Sequence, residues 1–146
     1  MRTTADFDGI CQRIKSLSPA SSRLWGKMSV SQMLAHCQRP FAAALGPGDT
    51  KRGIASYLFG PMAKRSFMGA NEFRKNLPTA PAFKITHEPG FEEERAKLLD
   101  NVHQFLMIDK AKLSARVHPF FGPMSGSEWY ELMYKHLDHH LKQFGV

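Results

Sequence analysis

Apolar residues recur at intervals of three and four along most of this chain, and this spacing constrains its fold more than any other feature. Residues at these intervals share one face of an α-helix, which can then be buried against neighbouring helices. The length of 146 residues fits a single domain. We therefore predict an all-α domain spanning residues 1–146, with helices over about residues 4–17, from Ser29 to about Gly46, over about Thr50–Met68 and Glu92–Met107, and from Ser125 to about Phe144.

Proline and glycine interrupt this pattern. Pro40 lies inside the second helix, where it removes a backbone donor, and we expect a kink just after His36. The third helix is expected to break near Gly60-Pro61. The segment Gly69–Gly90 contains Pro78, Pro81 and Pro89, and irregular segments of this length often form a lid or the wall of a site. We expect any short extended pieces to lie within it.

The charge of +7 and the sequence pI of about 9.7 raise the question of nucleic-acid binding. The basic residues are scattered, however, and pairs such as Lys64-Arg65 and Arg74-Lys75 form no recognition motif. No stretch approaches the ~20 apolar residues of a membrane span, and no apolar segment follows the N-terminal residues as in a secretory signal. We expect a cytoplasmic protein with neither nucleic acid nor membrane as a partner.

The final helix places two histidines on its apolar side. His136 and His140 lie about 40° apart on the helical wheel, one turn from each other. Burying two imidazoles costs free energy unless their ring nitrogens find partners. One metal ion would satisfy both, and hydrogen bonds to neighbouring helices would be the alternative.

The remaining five histidines differ in their placement. His36 lies at the edge of the apolar stripe of the second helix, beside the expected kink. His139 lies at the edge of the inward arc of the last helix, and His118 is in a proline-rich loop just before that helix. For His87 and His103 the simplest interpretation is an ordinary surface or core residue.

Two segments resemble motifs of the DinB-like superfamily: Trp25–Cys37, which resembles its second-helix motif, and His136–Phe144, which resembles its terminal His-x-x-x-His-x-x-Gln motif. Three shorter segments between them are similar to one uncharacterised, domain-of-unknown-function branch of that superfamily: Asn76–Thr79, His118–Gly122 and Ser127–Trp129. The resemblance extends over nearly the whole chain.

This resemblance implies an up-down-down-up four-helix bundle with a three-histidine metal site. The matching positions are His36, His136 and His140. The superfamily includes transferases and isomerases that use bacillithiol or mycothiol, so the resemblance allows a thiol cofactor, although no feature of this sequence identifies a pocket for one.

Three neutral imidazoles with an open position suit Zn²⁺, which would keep one water molecule. Ni²⁺, Fe²⁺ and Cu²⁺ also accept imidazole ligands. Such a site could activate water for hydrolysis or hold a thiolate for group transfer. For the general base we consider His139 and His118, and more weakly the outward-facing Asp138. Gln143 is expected to bond the bound water or to orient a ligand. Trp129 is expected to line the floor of a substrate pocket beside the metal.

The preferred interpretation is therefore a metal-dependent transferase or hydrolase that acts on a small molecule. A non-enzymatic metal- or ligand-binding bundle, for example in a stress response, is the alternative. The sequence leaves a homodimer open and identifies neither substrate nor native metal.

Overall fold

The computed structural model describes residues 2–46, 52–69, 72–79 and 81–146, and within these ranges the protein is mainly helical, as predicted. No described helix is long and apolar enough to cross a membrane. The helices are α1 (Thr4–Ser16), α2 (Val30–Leu45), α3 (Ile54–Met68), α4 (Phe91–Leu106), α5 (Lys110–Ser114) and α6 (Gly126–Gln143), with a short 3-10 helix at Pro81–Phe83 and two antiparallel strands, β1 (Val117–His118) and β2 (Gly122–Pro123).

Four helices, α1, α2, α4 and α6, form a bundle around one apolar core. The first and last run in parallel, because Phe7 meets Tyr134 near the start of α1 and Arg13 bonds Asp138 near its end. The helix α4 runs opposite to α1, because its C-terminal Phe105 contacts Phe7.

The helix α2 runs in the same direction as α4. Phe41, near the end of α2, contacts Phe105 near the end of α4. At the other end, Gln32 in the first turn of α2 bonds the carbonyl of His87, shortly before α4 begins. The directions are therefore up, down, down and up for α1, α2, α4 and α6, as the sequence resemblance implied.

The third helix differs from the prediction. It begins at Ile54 and runs unbroken through Gly60-Pro61, whereas a break was expected there, and the predicted start at Thr50 lies outside the described residues. A Cβ on Gly60 would overlap the carbonyl oxygen of Phe120, so glycine allows close packing here. Pro61 is exposed, as is Tyr57 one turn earlier, so water can satisfy the carbonyl that the proline leaves without a donor. The second helix continues through Pro40 to Leu45, as its predicted range implied, and the kink after His36 stays a prediction.

The expected position of extended structure was also wrong. Within the described part of Gly69–Gly90 the regular structure is the 3-10 helix Pro81–Phe83, and the strands lie instead at β1 and β2, before the last helix. Two residues per strand are too few to show an alternating pattern in a sequence. Gly122 has a φ of 78°, which favours glycine at this tight turn.

Candidate metal centre

Three histidines from two helices meet inside the bundle. His36 comes from α2, while His136 and His140 come from successive turns of α6. One ring nitrogen from each lies within 4.8 Å of the others. The ring centroids are 5.0, 4.7 and 4.8 Å apart, which is nearly an equilateral triangle. We call these three residues the histidine triad.

Two rings of the histidine triad are oriented by oxygen acceptors. Nδ1 of His36 lies 2.9 Å from the carbonyl oxygen of Phe83, in the 3-10 helix. Nδ1 of His140 lies 2.8 Å from Oε1 of Gln143. A carbonyl oxygen only accepts, so each Nδ1 carries the proton and donates it, and each Nε2 keeps its lone pair. Metal-binding histidines in proteins commonly have this arrangement.

The third ring is less well satisfied. Nε2 of His136 lies 3.1 Å from Nε2 of His36, while its buried Nδ1 has no hydrogen-bond partner among the described residues. With Nε2 of His36 unprotonated, only a proton on His136 can link this pair. Two nitrogens that each lie ~2.0–2.1 Å from a tetrahedral zinc ion are roughly 3.3 Å apart, close to the observed separation. This pair therefore has the spacing of two zinc ligands, and with all three ring nitrogens within 4.8 Å of one another the set could hold one divalent cation.

Burial keeps the triad neutral. His36 and His140 are 5% and 8% exposed, and His136 is partly exposed. Burial lowers the pKa of His36, and it lowers the pKa of His140 to about 3 with a further contribution from His36. The pKa of His136 is also lowered, by burial and by the neighbouring histidines. Neutral imidazoles are the form that binds metal, so the triad need not lose a net proton near neutral pH.

Gln143 holds His140 rather than facing the centre of the triad. Its Oε1 accepts from His140, and its Nε2 donates to the carbonyl of Trp25 at 2.8 Å. Gly26 has a φ of 79°, and a Cβ there would overlap the amide of Gln143. The expectation that Gln143 bonds a bound water is therefore replaced by a role in fixing the ring of His140.

His118 lies outside the triad and has a structural role in the β1–β2 turn. Its Nδ1 accepts from the backbone N–H groups of Phe120 and Phe121, at 3.1 and 3.0 Å. Burial, and then the charge of Arg52, lowers its pKa to about 4. Because its basic nitrogen is already occupied, His118 is poorly suited to act as the general base.

Trp129 packs beside His118, with their ring centroids 5.4 Å apart. It has no exposed surface, and its Nε1 has no hydrogen-bond partner among the described residues. It therefore does not line the floor of an open pocket, as the sequence suggested.

His139 is the candidate base that the structure places between the triad and the surface. Its ring contacts His140 at 5.1 Å and lies near Trp25 and Phe73, at 5.8 and 5.9 Å. It lines a cavity of about 530 Å³, together with Trp25, Glu72, Phe73, Lys75 and several residues of α6. Burial lowers its pKa, so it is neutral near pH 7. Asp138 faces the same cavity but is held by Arg13 and Lys142.

Three contributors to the site, Phe83, Trp25 and Gly26, were not among the predicted residues. Phe83 acts through its backbone carbonyl, which any residue could supply, so no sequence signal marks it. Trp25 and Gly26 do stand in the segment that resembles the second-helix motif, and the resemblance was the available signal. The Gly69–Gly90 segment, which was expected to form a lid or the wall of a site, does reach the triad through Phe83.

Comparison with known families adds a classification. The chain matches, over residues 3–145, the family described as protein of unknown function, DUF1569. The chain belongs to this family. Searches of curated proteins and of solved structures found no match. In this DUF1569 protein the whole histidine triad lies inside the matched span, together with Gln143, Trp25 and Gly26.

Proposed function

We propose that this DUF1569 protein is a cytoplasmic, divalent-metal-dependent enzyme that acts on a small molecule, as a transferase or a hydrolase. The observation that carries the proposal is the convergence of three neutral imidazoles, two of them oriented by oxygen acceptors at Nδ1. Zinc is the preferred ion, and nickel or iron would also accept this donor set.

A relationship to the DinB-like superfamily remains part of this proposal. The up-down-down-up order of the bundle and the meeting of His36 with His136 and His140 are what that resemblance implied. Kinship with thiol-dependent transferases would favour a thiol as the second substrate, since thiols bind soft or borderline metal ions well.

A bound divalent ion would supply Lewis acidity, which lowers the pKa of a coordinated water or thiol. The chain's own residues would do the rest. Phe83 and Gln143 hold the rings of His36 and His140, and the absence of a carboxylate from the triad leaves the ion its full positive charge. His139 would accept or return a proton at its ring nitrogen for a substrate held between Trp25 and Phe73.

A structural metal is the second candidate function. It is favoured by the burial of His36 and His140, and because no triad residue is among those that line the cavity beside His139. In that case the ion would stabilise the bundle and no substrate would reach it. The two candidates differ in whether an external ligand can reach the ion.

Cobalt substitution distinguishes them. The purified chain is stripped with a chelator, reloaded with Co²⁺ and mixed with 2-mercaptoethanol, with ethylene glycol as the matched control without sulfur. We expect the thiol, but not the glycol, to add a sulfur-to-cobalt charge-transfer band. The His136→Ala variant should give neither the cobalt spectrum nor the band.

The same cobalt protein is then tested with azide and with an activated ester. A spectral response to azide with ester turnover, but no thiol band, would favour the hydrolase. A cobalt spectrum that none of these ligands changes would reject the enzyme and favour the structural metal. Failure of the wild-type chain to bind cobalt or zinc would reject both.

A further inference from the structure

The helix α3 presents its small and polar residues to the protein. Ser56 donates a hydrogen bond to the carbonyl of Phe120, and Gly60 packs against the same backbone. Lys64 donates to the carbonyl of Pro123 and pairs with Glu128 at 2.9 Å. These contacts fix α3 on the β1–β2 turn without burying a large apolar side chain in its middle.

The opposite side of α3 presents large apolar residues to solvent. Their exposed fractions lie between 54% and 80%, and together they form what we call the α3 face: Ile54, Tyr57, Leu58, Phe59 and Met62. Phe120, on the turn that anchors α3, is also exposed. The face is on the order of 500 Å² of apolar surface, and exposed patches of this size mark interaction sites.

The charge around the α3 face is positive. Within α3 the charged residues are Lys64 and Arg65, and the guanidinium of Arg52 lies over the ring of Tyr57, 4.1 Å from its centroid. On the helical wheel Arg65 lies between Ile54 and Leu58, in the middle of the apolar face. Arg65 is exposed and makes no ion pair with any described residue. The face itself contains no carboxylate.

We propose that the α3 face docks this protein onto an anionic lipid surface, with its apolar side chains entering the interface and Arg65 pairing with lipid phosphate. Surface-lying helices with apolar side chains next to basic ones bind membranes in this way. Lipid phosphate supplies the negative charge that the face lacks, and anionic lipids enrich the cytoplasmic leaflet.

A second copy of the chain fits this face less well. Pairing two α3 faces would bring two copies of Arg65 into an apolar interface that offers no carboxylate. Burying charges without partners is costly. A lipid surface instead lets the guanidinium remain at the level of the headgroups.

This inference is independent of the metal site and replaces the sequence-based expectation that no membrane is a partner. That expectation considered only segments that span a bilayer, and no described helix is long and apolar enough to do so. Lying on a membrane requires an exposed apolar face, which cannot be recognised in a sequence until the fold shows which side of α3 is outward.

The test is flotation of the full chain with vesicles. One set contains phosphatidylcholine alone and the other includes about 30% phosphatidylglycerol. We expect binding to the anionic vesicles, little binding to the neutral ones, and loss at roughly 0.5 M salt. The double variant Leu58→Ser/Met62→Ser should bind at least about 10-fold more weakly, whereas Leu24→Ser/Met107→Ser, matched in residue type and also exposed, should bind like wild type.

Two variants with the same change of charge isolate the contribution of Arg65 to lipid binding. Arg65→Glu should weaken binding to anionic vesicles, and Lys112→Glu, which makes the same charge change at an exposed position of α5, should have a smaller effect. All of these positions are exposed, and circular dichroism would check that each variant folds. Equal binding of the two double variants, or no preference for anionic vesicles, would overturn the proposal. So would a dimer in sedimentation equilibrium that Leu58→Ser/Met62→Ser dissociates, because the second copy would then occupy the face.

Discussion

The histidine triad and His118 both lie in the interior of one small bundle, and they differ in where the lone pairs of their ring nitrogens point. All four rings are buried enough to lower their pKa values. Nδ1 of His118 accepts from two backbone N–H groups and needs no further partner. In the triad, Nδ1 of His36 and of His140 donates its proton to an oxygen. The Nε2 lone pairs of these two rings therefore converge, with too few N–H protons among the three rings to satisfy them.

Burial and a lowered pKa therefore do not by themselves identify a metal ligand. His118 has both properties, and its own turn satisfies the basic nitrogen of its ring. The distinguishing feature is that oxygen acceptors hold Nδ1 and leave Nε2 free to face other free nitrogens. The predictions below test this difference between the two sets.

The largest expected difference is in metal-linked stability. Zinc at about 1,000 times its dissociation constant should raise the free energy of unfolding by about 4 kcal/mol, because it binds only the folded chain. In a chain of this size that corresponds to a rise of roughly 10 °C in Tm. His118→Asn should respond like wild type, and His136→Ala should not respond. Calorimetry of the metal-free and the zinc-loaded protein would measure these shifts in Tm. If zinc stabilised His136→Ala as much as wild type, the triad would not differ from His118 in metal binding.

The next effect is acid sensitivity, which should come in part from His118. Its folded pKa is about 4, below the ordinary value of 6.5, so the unfolded chain binds more protons between these values. Stability is therefore lost as the pH falls from about 6.5 to about 4, on the order of 3 kcal/mol from this residue. In metal-free urea titrations His118→Asn should lose correspondingly less stability on acidification. The exposed His103→Asn serves as control, and an unchanged pH profile in His118→Asn would contradict the prediction.

The smallest of these effects concerns the acceptor for His140. Gln143→Leu removes the oxygen that fixes this ring, and zinc affinity should fall by about 10- to 100-fold. Gln104→Leu makes the same substitution at an exposed position of α4 and should leave the affinity unchanged. Competition with a chelating dye would measure both. Equal affinities would mean that the oxygen acceptor does not distinguish the triad from other buried histidines.

The sequence predicted the helices of the bundle well where the apolar spacing continues over many residues. Ser29 and Ser125, where two helices were expected to begin, are the N-caps of α2 and α6, and Gln32 and Glu128 complete the two capping boxes. The break at Gly60-Pro61 was wrongly predicted, because the contact with Phe120 that favours glycine there comes from a distant part of the chain. The strands β1 and β2 are too short to leave a pattern.

The site was predictable to a lesser degree. Helical spacing alone places His136 and His140 together, whereas His36 could be added only through the resemblance. The oxygen acceptors of the triad could not be predicted. Phe83 contributes only its backbone carbonyl, and the contact that holds Gln143 against Trp25 joins opposite ends of the chain. Trp129 looked suitable for a pocket floor because it shares the inward arc of α6, but that arc also faces the closed core.

Metal content tests the central claim most directly. The chain would be purified without a nickel column and its bound elements measured after dialysis against micromolar zinc. We expect about one divalent ion per chain in wild type, His118→Asn and His87→Ala, and nearly none in His36→Ala, His136→Ala or His140→Ala. A wild-type chain without metal, or a His36→Ala variant that keeps its full complement, would contradict the account.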